Sequence, residues 1–216
     1  MAVRVLRAAG RPATAWLNGG GVTREVAGAP EGSGLADFDW RVSLADVGQG
    51  GPFSVFPGVD RVITLVDGDG MALAVAGAEH VLAQPYQPFA FPGDADTGCR
   101  LLGGPVVDFN VMTRRGRATA EVAIAGRERS AERGPAGERA PEGEREPAGG
   151  PGPAGGHAVE VPPGATVLLV CLDGGAELVA AGVRLGRFDA ALLDSPGRDL
   201  LRADGVAAVV TLRPAG

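Results

Sequence analysis

Apolar residues along this chain come in short runs or alternate with polar residues, and Gly, Pro and Asp interrupt them roughly every 8 to 12 residues. Successive side chains of a strand point to opposite faces, so a period of two predicts β-strands. No window of about 12 residues keeps the apolar stripe of period 3.6 that marks an amphipathic helix. We therefore predict an all-β protein. Its strands are expected at residues 3–6, 23–27, 39–44, 62–65, 72–75, 87–91, 99–102, 106–113, 158–161, 166–172, 176–180, 188–193 and 206–212.

One segment departs from this pattern. Residues 126–156 contain no Val, Ile, Leu, Met or aromatic side chain and are rich in Arg, Glu, Pro, Gly and Ala. Such a segment has no apolar surface with which to form a core, so we predict a disordered insertion at 126–156.

A weak internal repeat indicates the architecture. The segment VITLVDGDGMALAVAG, beginning at Val62, is similar to VLLVCLDGGAELVAAG, beginning at Val167. Each has an apolar strand, an Asp-Gly turn, a second apolar strand and a final Gly. Two copies of this unit predict two cupin-like (double-stranded β-helix) barrels, a bicupin. We expect the first barrel at 37–115 and the second at 157–216, the latter completed by strands from 1–36.

The overall charge and the lengths of the apolar runs exclude two classes of partner. The formal net charge is -6 and no concentrated basic face appears, which argues against nucleic acid. The apolar runs are far shorter than the roughly 20 residues of a membrane-spanning helix. The chain begins with strand-like sequence and not with an apolar signal region, so we expect a cytoplasmic protein.

The supply of reactive side chains narrows the chemistry further. The chain has no Lys, which removes Schiff-base chemistry and a Walker phosphate loop at the triple glycine 19–21. His80 and His157 are too few for the ligands of a metal-binding cupin, so we expect no metal and no cofactor. Cys99 and Cys171 lie in separate apolar strands and are expected to be buried free thiols.

Polar residues are concentrated in three strand-like clusters, at 16–26, 37–45 and 108–114. In the second cluster, alternation places Trp40, Val42 and Leu44 on one face and the polar Arg41 and Ser43 on the other. The pattern alone favours an outward orientation of the polar face, although the reverse would have it line the barrel cavity. In the third cluster an asparagine at position 110 stands between apolar neighbours, which is unusual in a strand and suggests a function.

These clusters resemble the HutD/Ves family. The segments that carry the resemblance are the run from Trp16 through the triple glycine to Glu25, FDWRVSLADV from Phe38, GPFSVFPGVDR from Gly51, QPFAFPGD from Gln87 and GGPVVDFNVMTRR from Gly103. The resemblance covers nearly the whole chain up to Arg115. It implies a cupin fold and a link to histidine utilisation or stress response. The family usually has Pro-Trp-Lys-Asn-Gly where this chain has Ala-Trp-Leu-Asn-Gly at 15–19, so a lysine beside the tryptophan is lost.

The resemblance favours the cavity-lining orientation and implies one ligand pocket in the first barrel. The residues expected around it are Trp16, Asn18, Arg24, Arg41, Ser43, Arg61, Phe109 and Asn110. Arginine stays protonated and offers a planar fork of donors, so it would hold a carboxylate through paired, charge-assisted hydrogen bonds.

The expected function is the binding of a small carboxylate or imidazole-type metabolite, to sense or regulate amino-acid (histidine) catabolism. One alternative is a metal-independent isomerase or hydrolase acting on a small acidic metabolite, with Glu25 or Asp60 as general base. Another is a scaffold whose insertion recruits a partner. Cupins often pair through sheet edges, so a homodimer is compatible with the family, although no residue pattern indicates one.

Overall fold

The computed structural model describes residues 2–126 and 156–216, and every regular element in these ranges is a β-strand. The all-β prediction is therefore confirmed, while the predicted insertion at 126–156 lies outside the described residues apart from its two end glycines. Within the described ranges no helix is long and apolar enough to cross a membrane. The strands are β1 (Val3–Leu6), β2 (Thr14–Ala15), β3 (Gly21–Ala29), β4 (Trp40–Val47), β5 (Gly51–Pro52), β6 (Val59–Asp67), β7 (Met71–Val75), β8 (Ala78–Leu82), β9 (Pro88–Pro92), β10 (Thr97–Leu101), β11 (Val106–Arg114), β12 (Ala118–Gly126), β13 (His157–Val161), β14 (Thr166–Asp173), β15 (Ala176–Leu178), β16 (Val183–Leu185), β17 (Ala190–Leu193), β18 (Gly197–Ala203) and β19 (Val206–Pro214).

The strands form four antiparallel sheets, two for each barrel. The first barrel has a large sheet of order β2-β3-β4-β11-β6-β9 and a small sheet of order β5-β10-β7-β8. The second has a large sheet of order β1-β17-β14-β19-β12 and a small sheet of order β13-β18-β15-β16. Adding eight to each strand number turns β4-β11-β6-β9 into β12-β19-β14-β17 and turns the first small sheet into the second. The internal repeat thus corresponds to a repeated unit of eight strands, and the prediction of two cupin-like barrels is confirmed.

The N-terminal strands divide between the two barrels. Strand β1 pairs with β17, with Val3 opposite Leu193, and so extends the large sheet of the second barrel. Strands β2 and β3 instead extend the large sheet of the first barrel, with Thr23 opposite Ala45 on β4. Residues 14–29 therefore lie with the first barrel, and from 2–36 only β1 joins the second.

The outer faces of the two large sheets pack against each other. Their contact is a cluster of buried apolar side chains to which both barrels contribute, including Trp40, Val42 and Leu44 from the first and Leu168 and Val210 from the second. Strand side chains alternate between faces, so the residues between these on β4 point into the first barrel. The face predicted to be polar is thus the interior face, because the opposite face is taken by the second barrel.

The second barrel is filled by aliphatic side chains. Its core cluster contains Val, Leu, Ala and the thiol of Cys171. Its one buried charged residue within the described ranges, Asp199, accepts hydrogen bonds from the backbone N–H groups of Ala180, Ala181 and Leu200 at 2.7, 3.0 and 2.7 Å. That carboxylate therefore has a structural role, and the described residues of the second barrel offer no polar interior.

Candidate functional site

Buried polar residues are concentrated in the first barrel. Of the eight in the described ranges, only Asp199 lies in the second barrel. Burying a polar group costs free energy unless it is hydrogen-bonded, so such a concentration in one of two related barrels calls for a reason. Thr64 and Thr113 lie on the outer face, opposite Phe109 and Trp40, and the other first-barrel members are not on that face. The eight are Ser43, Arg61, Thr64, Thr97, Asp108, Asn110, Thr113 and Asp199.

Strand register brings several polar side chains onto the interior face of the large sheet, and we call six of them the polar band. Its members are Glu25, Arg41, Ser43, Arg61, Asp108 and Asn110. Residues directly opposite each other on paired strands share a face. The cross-strand rows are Arg41–Met112–Arg61, Glu25–Ser43–Asn110–Ile63 and Thr23–Ala45–Asp108–Leu65.

The polar band lies between two apolar groups. Met112, which lies in the row that contains both arginines, packs with Phe38 and Val59 beyond that row in a small buried cluster. On the other side, Val47 and Val106 belong to the main core of the barrel. The large sheet is therefore apolar at both ends of its interior face and polar across the middle, which is the arrangement expected of a specific site inside a barrel.

Arg61 is the most unusual member of the polar band. Its side chain is buried, with 6% of the residue exposed, and its guanidinium carbon lies 5.0, 5.8 and 5.0 Å from the ring centres of Phe53, Phe56 and Phe91. Its Nε has no hydrogen-bond partner, and among the described residues no carboxylate lies within 4.0 Å of it. Burial lowers the pKa of this guanidinium from 12.5 to about 10, an effect that nearby Asp108 opposes and Arg41 reinforces. Arg61 is thus a buried cation enclosed by three aromatic rings, and it lacks an anionic partner within the described part of the chain.

Arg41 lies at the more accessible side of the polar band. Its Nε donates a hydrogen bond to Oε2 of Glu25 at 2.7 Å, and the side chains of the two residues are 15% and 44% exposed. Because Met112 separates Arg41 from Arg61 in the row, their Cα atoms lie two strand spacings apart, about 10 Å. The two arginine side chains therefore project from the same cross-strand row, one on each side of Met112.

Asp108 and Asn110 present unpaired acceptors in the same region. The Oδ1 atoms of both residues are buried and have no hydrogen-bond partner among residues 2–126 and 156–216. Burial raises the pKa of the Asp108 carboxyl from 3.8 to about 7; Arg61 opposes this shift and Asp46 adds to it. An unpaired buried acceptor costs about 1 to 3 kcal/mol, and a ligand that carries hydrogen-bond donors would recover that free energy.

Two predicted site residues belong to the turn between β2 and β3. Trp16 packs against the first-barrel core, and its Nε1 donates to Oγ1 of Thr23 at 2.8 Å. The Asn18 side chain is used by the turn itself, because its Oδ1 accepts from the Gly20 N–H at 3.0 Å. A Cβ at Gly21 would lie 2.5 Å from the Asp46 carbonyl oxygen and 3.2 Å from the Trp16 ring, so glycine is required for this packing.

Two other predicted residues lie on the opposite face of the sheet. Arg24 is opposite Leu44 and forms an ion pair with Asp46, away from the barrel interior. Phe109 is fully buried in the cluster between the barrels. Both are therefore separated from Arg41, Ser43, Arg61 and Asn110, which the structure does bring together.

The structure adds residues that the sequence reasoning did not select for the pocket. Asp108 shares the inward face with Asn110 two positions away, so strand alternation was the signal that could have found it. The rings of Phe53, Phe56 and Phe91 had no such signal, since only the fold brings them around Arg61. Asp60, the alternative general base, is bound by Arg115 Nε at 2.7 Å on an exposed surface.

The two histidines lie apart from the polar band. The His80 ring lies 4.7 Å from the ring of Phe89, beside an open cleft of about 670 Å³ at the edge of the first barrel. His157 is exposed at the start of β13. In the portion of the chain that is described, no three His, Cys, Asp or Glu side chains are grouped so that they could hold a metal ion.

Comparison with known proteins gives a consistent family. A family model described as HutD matches residues 8–139. An uncharacterized 21.2 kDa protein in the hutC 3' region of Pseudomonas putida is 44% identical over 110 residues, which are 51% of this chain and 57% of that protein. Protein Ves of Cronobacter sakazakii is 42% identical over 117 residues, which are 54% of this chain and 63% of that protein. In both alignments the chain spans less than two thirds of the relative's length.

Solved structures extend the similarity to the whole fold. HutD from Pseudomonas fluorescens SBW25, solved in a formate condition, has a TM-score of 0.76 and 32% identity, with 100% of both chains covered. A conserved protein of unknown function from Pseudomonas aeruginosa PAO1 has a TM-score of 0.73 and 29% identity, again with 100% of both chains covered. Protein Ylba from E. coli shares the fold at a TM-score of 0.65 but only 10% identity, with 97% of this chain and 90% of that chain covered.

Proposed function

The chain belongs to the HutD family, and on that premise we propose that it binds a small carboxylate or imidazole-type metabolite inside the first barrel and so senses or regulates amino-acid (histidine) catabolism. The observation that carries this proposal is Arg61. A buried guanidinium without an ion-pair partner is costly in the free protein, and a carboxylate ligand would supply the missing charge and acceptors.

The remaining polar band would complete recognition. Arg41 is held by Glu25 at 2.7 Å and is positioned to contribute a second cationic group. The free Oδ1 of Asn110 would accept a hydrogen bond from an N–H of the ligand, which is how an imidazole ring or an amide would be distinguished from a hydrocarbon. The three phenylalanine rings around Arg61 exclude water, which strengthens these charged contacts.

The expected affinity follows from the number of charged contacts. A hydrogen bond to a charged group contributes roughly 1.5 to 3 kcal/mol. Three or four such bonds, less the cost of immobilising the ligand, would give an affinity in the micromolar range, which corresponds to about -8 kcal/mol. This range suits a sensor that must release its metabolite when the concentration falls.

Isothermal titration calorimetry of the purified chain with urocanate, histidine, N-formylglutamate and formate tests the proposal. We expect saturable binding of at least one carboxylate, weakened at least tenfold in Arg61→Met. Arg198 is exposed on the second barrel and paired with Glu160, so Arg198→Met is the matched control and should bind normally. Absence of binding with all four compounds, or equal loss in both variants, would overturn the proposal.

An enzyme is the second candidate, and one observation favours it. A buried carboxyl whose pKa is raised to about 7, such as Asp108, has the proton affinity required of a general acid or base at neutral pH. An isomerase or hydrolase would convert a small acidic metabolite bound at Arg61. Product formation from any of the four compounds, followed by NMR and abolished in Asp108→Asn, would favour this alternative over a binding protein.

A further inference from the structure

Asp108 occupies a position in the polar band that a simple anion site would avoid. It is 2% exposed on the interior face of β11, and its Oδ1 has no hydrogen-bond partner in the described ranges. An ionised carboxylate there would repel any anion that Arg61 attracts, in an environment where water screens charges poorly. Anion binding at Arg61 is therefore opposed by an ionised Asp108 and is not opposed by a neutral Asp108.

The separation of Asp108 and Arg61 indicates how the two could act together. They influence each other electrostatically, yet no nitrogen of Arg61 lies within 4.0 Å of an Asp108 oxygen among the described contacts. In a direct ion pair the two groups would already be bound to each other, and neither would be available to a ligand. A carboxylate placed between them can accept from the guanidinium on one side and from a protonated Asp108 on the other, because a neutral carboxyl has one O–H donor.

We propose that Asp108 is a proton-linked specificity residue: the first barrel takes up a monoanion together with one proton, which the Asp108 carboxylate acquires from solvent and donates as an O–H hydrogen bond to the anion. This inference rests on the proposed carboxylate site. Dissociation of the anion returns the proton to solvent, so no other reactant is needed. The affinity of the site for a monoanion would thus fall as the pH rises.

The other charged or titratable groups around Asp108 do not produce the same pH dependence. Arg61 faces it from β6, and the pKa of Arg61 stays at about 10. Cys99 faces it from β10, and burial together with Asp108 raises the pKa of that thiol to about 11. Arg41 lies on β4 and Glu25 on β3 of the same face, where they pair with each other. Asp46 lies on the opposite face of β4, where it pairs with Arg24.

Acetate is a suitable probe because it is a monoanion without a donor, and acetamide is its uncharged counterpart. Titration calorimetry of the wild-type protein from pH 6 to 8.5 should show an acetate Kd that rises about tenfold between pH 6 and pH 8, from the carboxyl pKa of about 7. Repeating the pH 8 titration in HEPES and Tris, which differ in ionisation enthalpy, should show uptake of about 0.9 proton per acetate. Any acetamide binding should lack the rise.

The variant Asp108→Asn keeps the size of the side chain and a donor but cannot ionise. Its acetate Kd should be independent of pH and close to the wild-type value at pH 6. Asp194→Asn, an exposed change in the second barrel, should keep the wild-type pH dependence. Acetate binding with a constant Kd and no proton uptake would overturn this inference and leave the proposed function standing. Failure of acetate, urocanate and N-formylglutamate to bind at any pH would overturn both.

Discussion

Replacing Arg61 should abolish ligand binding without lowering the stability of the ligand-free protein. Burial lowers the pKa of this guanidinium from 12.5 to about 10, which means that its charged form is disfavoured in the folded state by about 3 kcal/mol. The contacts with three phenylalanine rings offset part of this cost, at roughly 0.5 to 1 kcal/mol each. Arg61→Met removes both effects and fills most of the same volume. The ligand-free variant should therefore be as stable as the wild type or up to about 2 kcal/mol more stable.

The assay is thermal and urea unfolding of both proteins at pH 7, with and without a carboxylate that binds the wild type. For a chain of this length, 1 kcal/mol corresponds to about 2 to 4 °C in Tm. Ligand at 100 times its Kd should stabilise the wild type by about 2.7 kcal/mol and leave Arg61→Met unchanged.

A neighbouring core residue calibrates this measurement. Ile63 follows two positions later on the same interior face and is fully buried, so Ile63→Ala should destabilise the protein by about 2 to 5 kcal/mol. If Arg61→Met were destabilised as much as Ile63→Ala, Arg61 would be an ordinary structural residue. The argument that it is held in place for a ligand would then be refuted.

Three further outcomes follow from the same geometry. Gly21→Ala should lower Tm markedly, because its Cβ would lie 2.5 Å from a backbone oxygen of β4 and would press on the Trp16 ring; unchanged Tm and tryptophan fluorescence would contradict this. Thr23→Val should cost about 1 kcal/mol in urea unfolding by removing the acceptor of the 2.8 Å bond from the indole N–H, with Thr119→Val on the exposed side of β12 as control. The raised pKa of Asp108 means that the folded state holds this proton more tightly than the unfolded state. Its stabilising contribution is therefore complete below about pH 4 and lost as the pH rises to about 7, so wild-type Tm should fall over this interval relative to Asp108→Asn, and parallel pH curves would disprove it.

The sequence alone determined the fold class and the positions of the three polar clusters at 16–26, 37–45 and 108–114. Alternation with period two and the repeat of the 62–77 segment at 167–182 specify β-strands and two related barrels, because strand periodicity is local and a repeated unit must bury its apolar face in the same way twice. The same alternation correctly separated Trp40, Val42 and Leu44 from Arg41 and Ser43.

Only the tertiary structure decided what covers each face. The pattern on β4 separates an apolar face from a polar face but does not indicate which of the two points into the barrel. The apolar face is buried against the second barrel, so neither face of this strand is turned to solvent. For that reason Arg24 and Phe109 were grouped with residues that lie across the sheet from them. The cage around Arg61 draws on rings from residues 53, 56 and 91, and the elevated pKa of Asp108 arises from burial. Both depend on contacts between segments distant in sequence, and such contacts exist only once the barrel has formed.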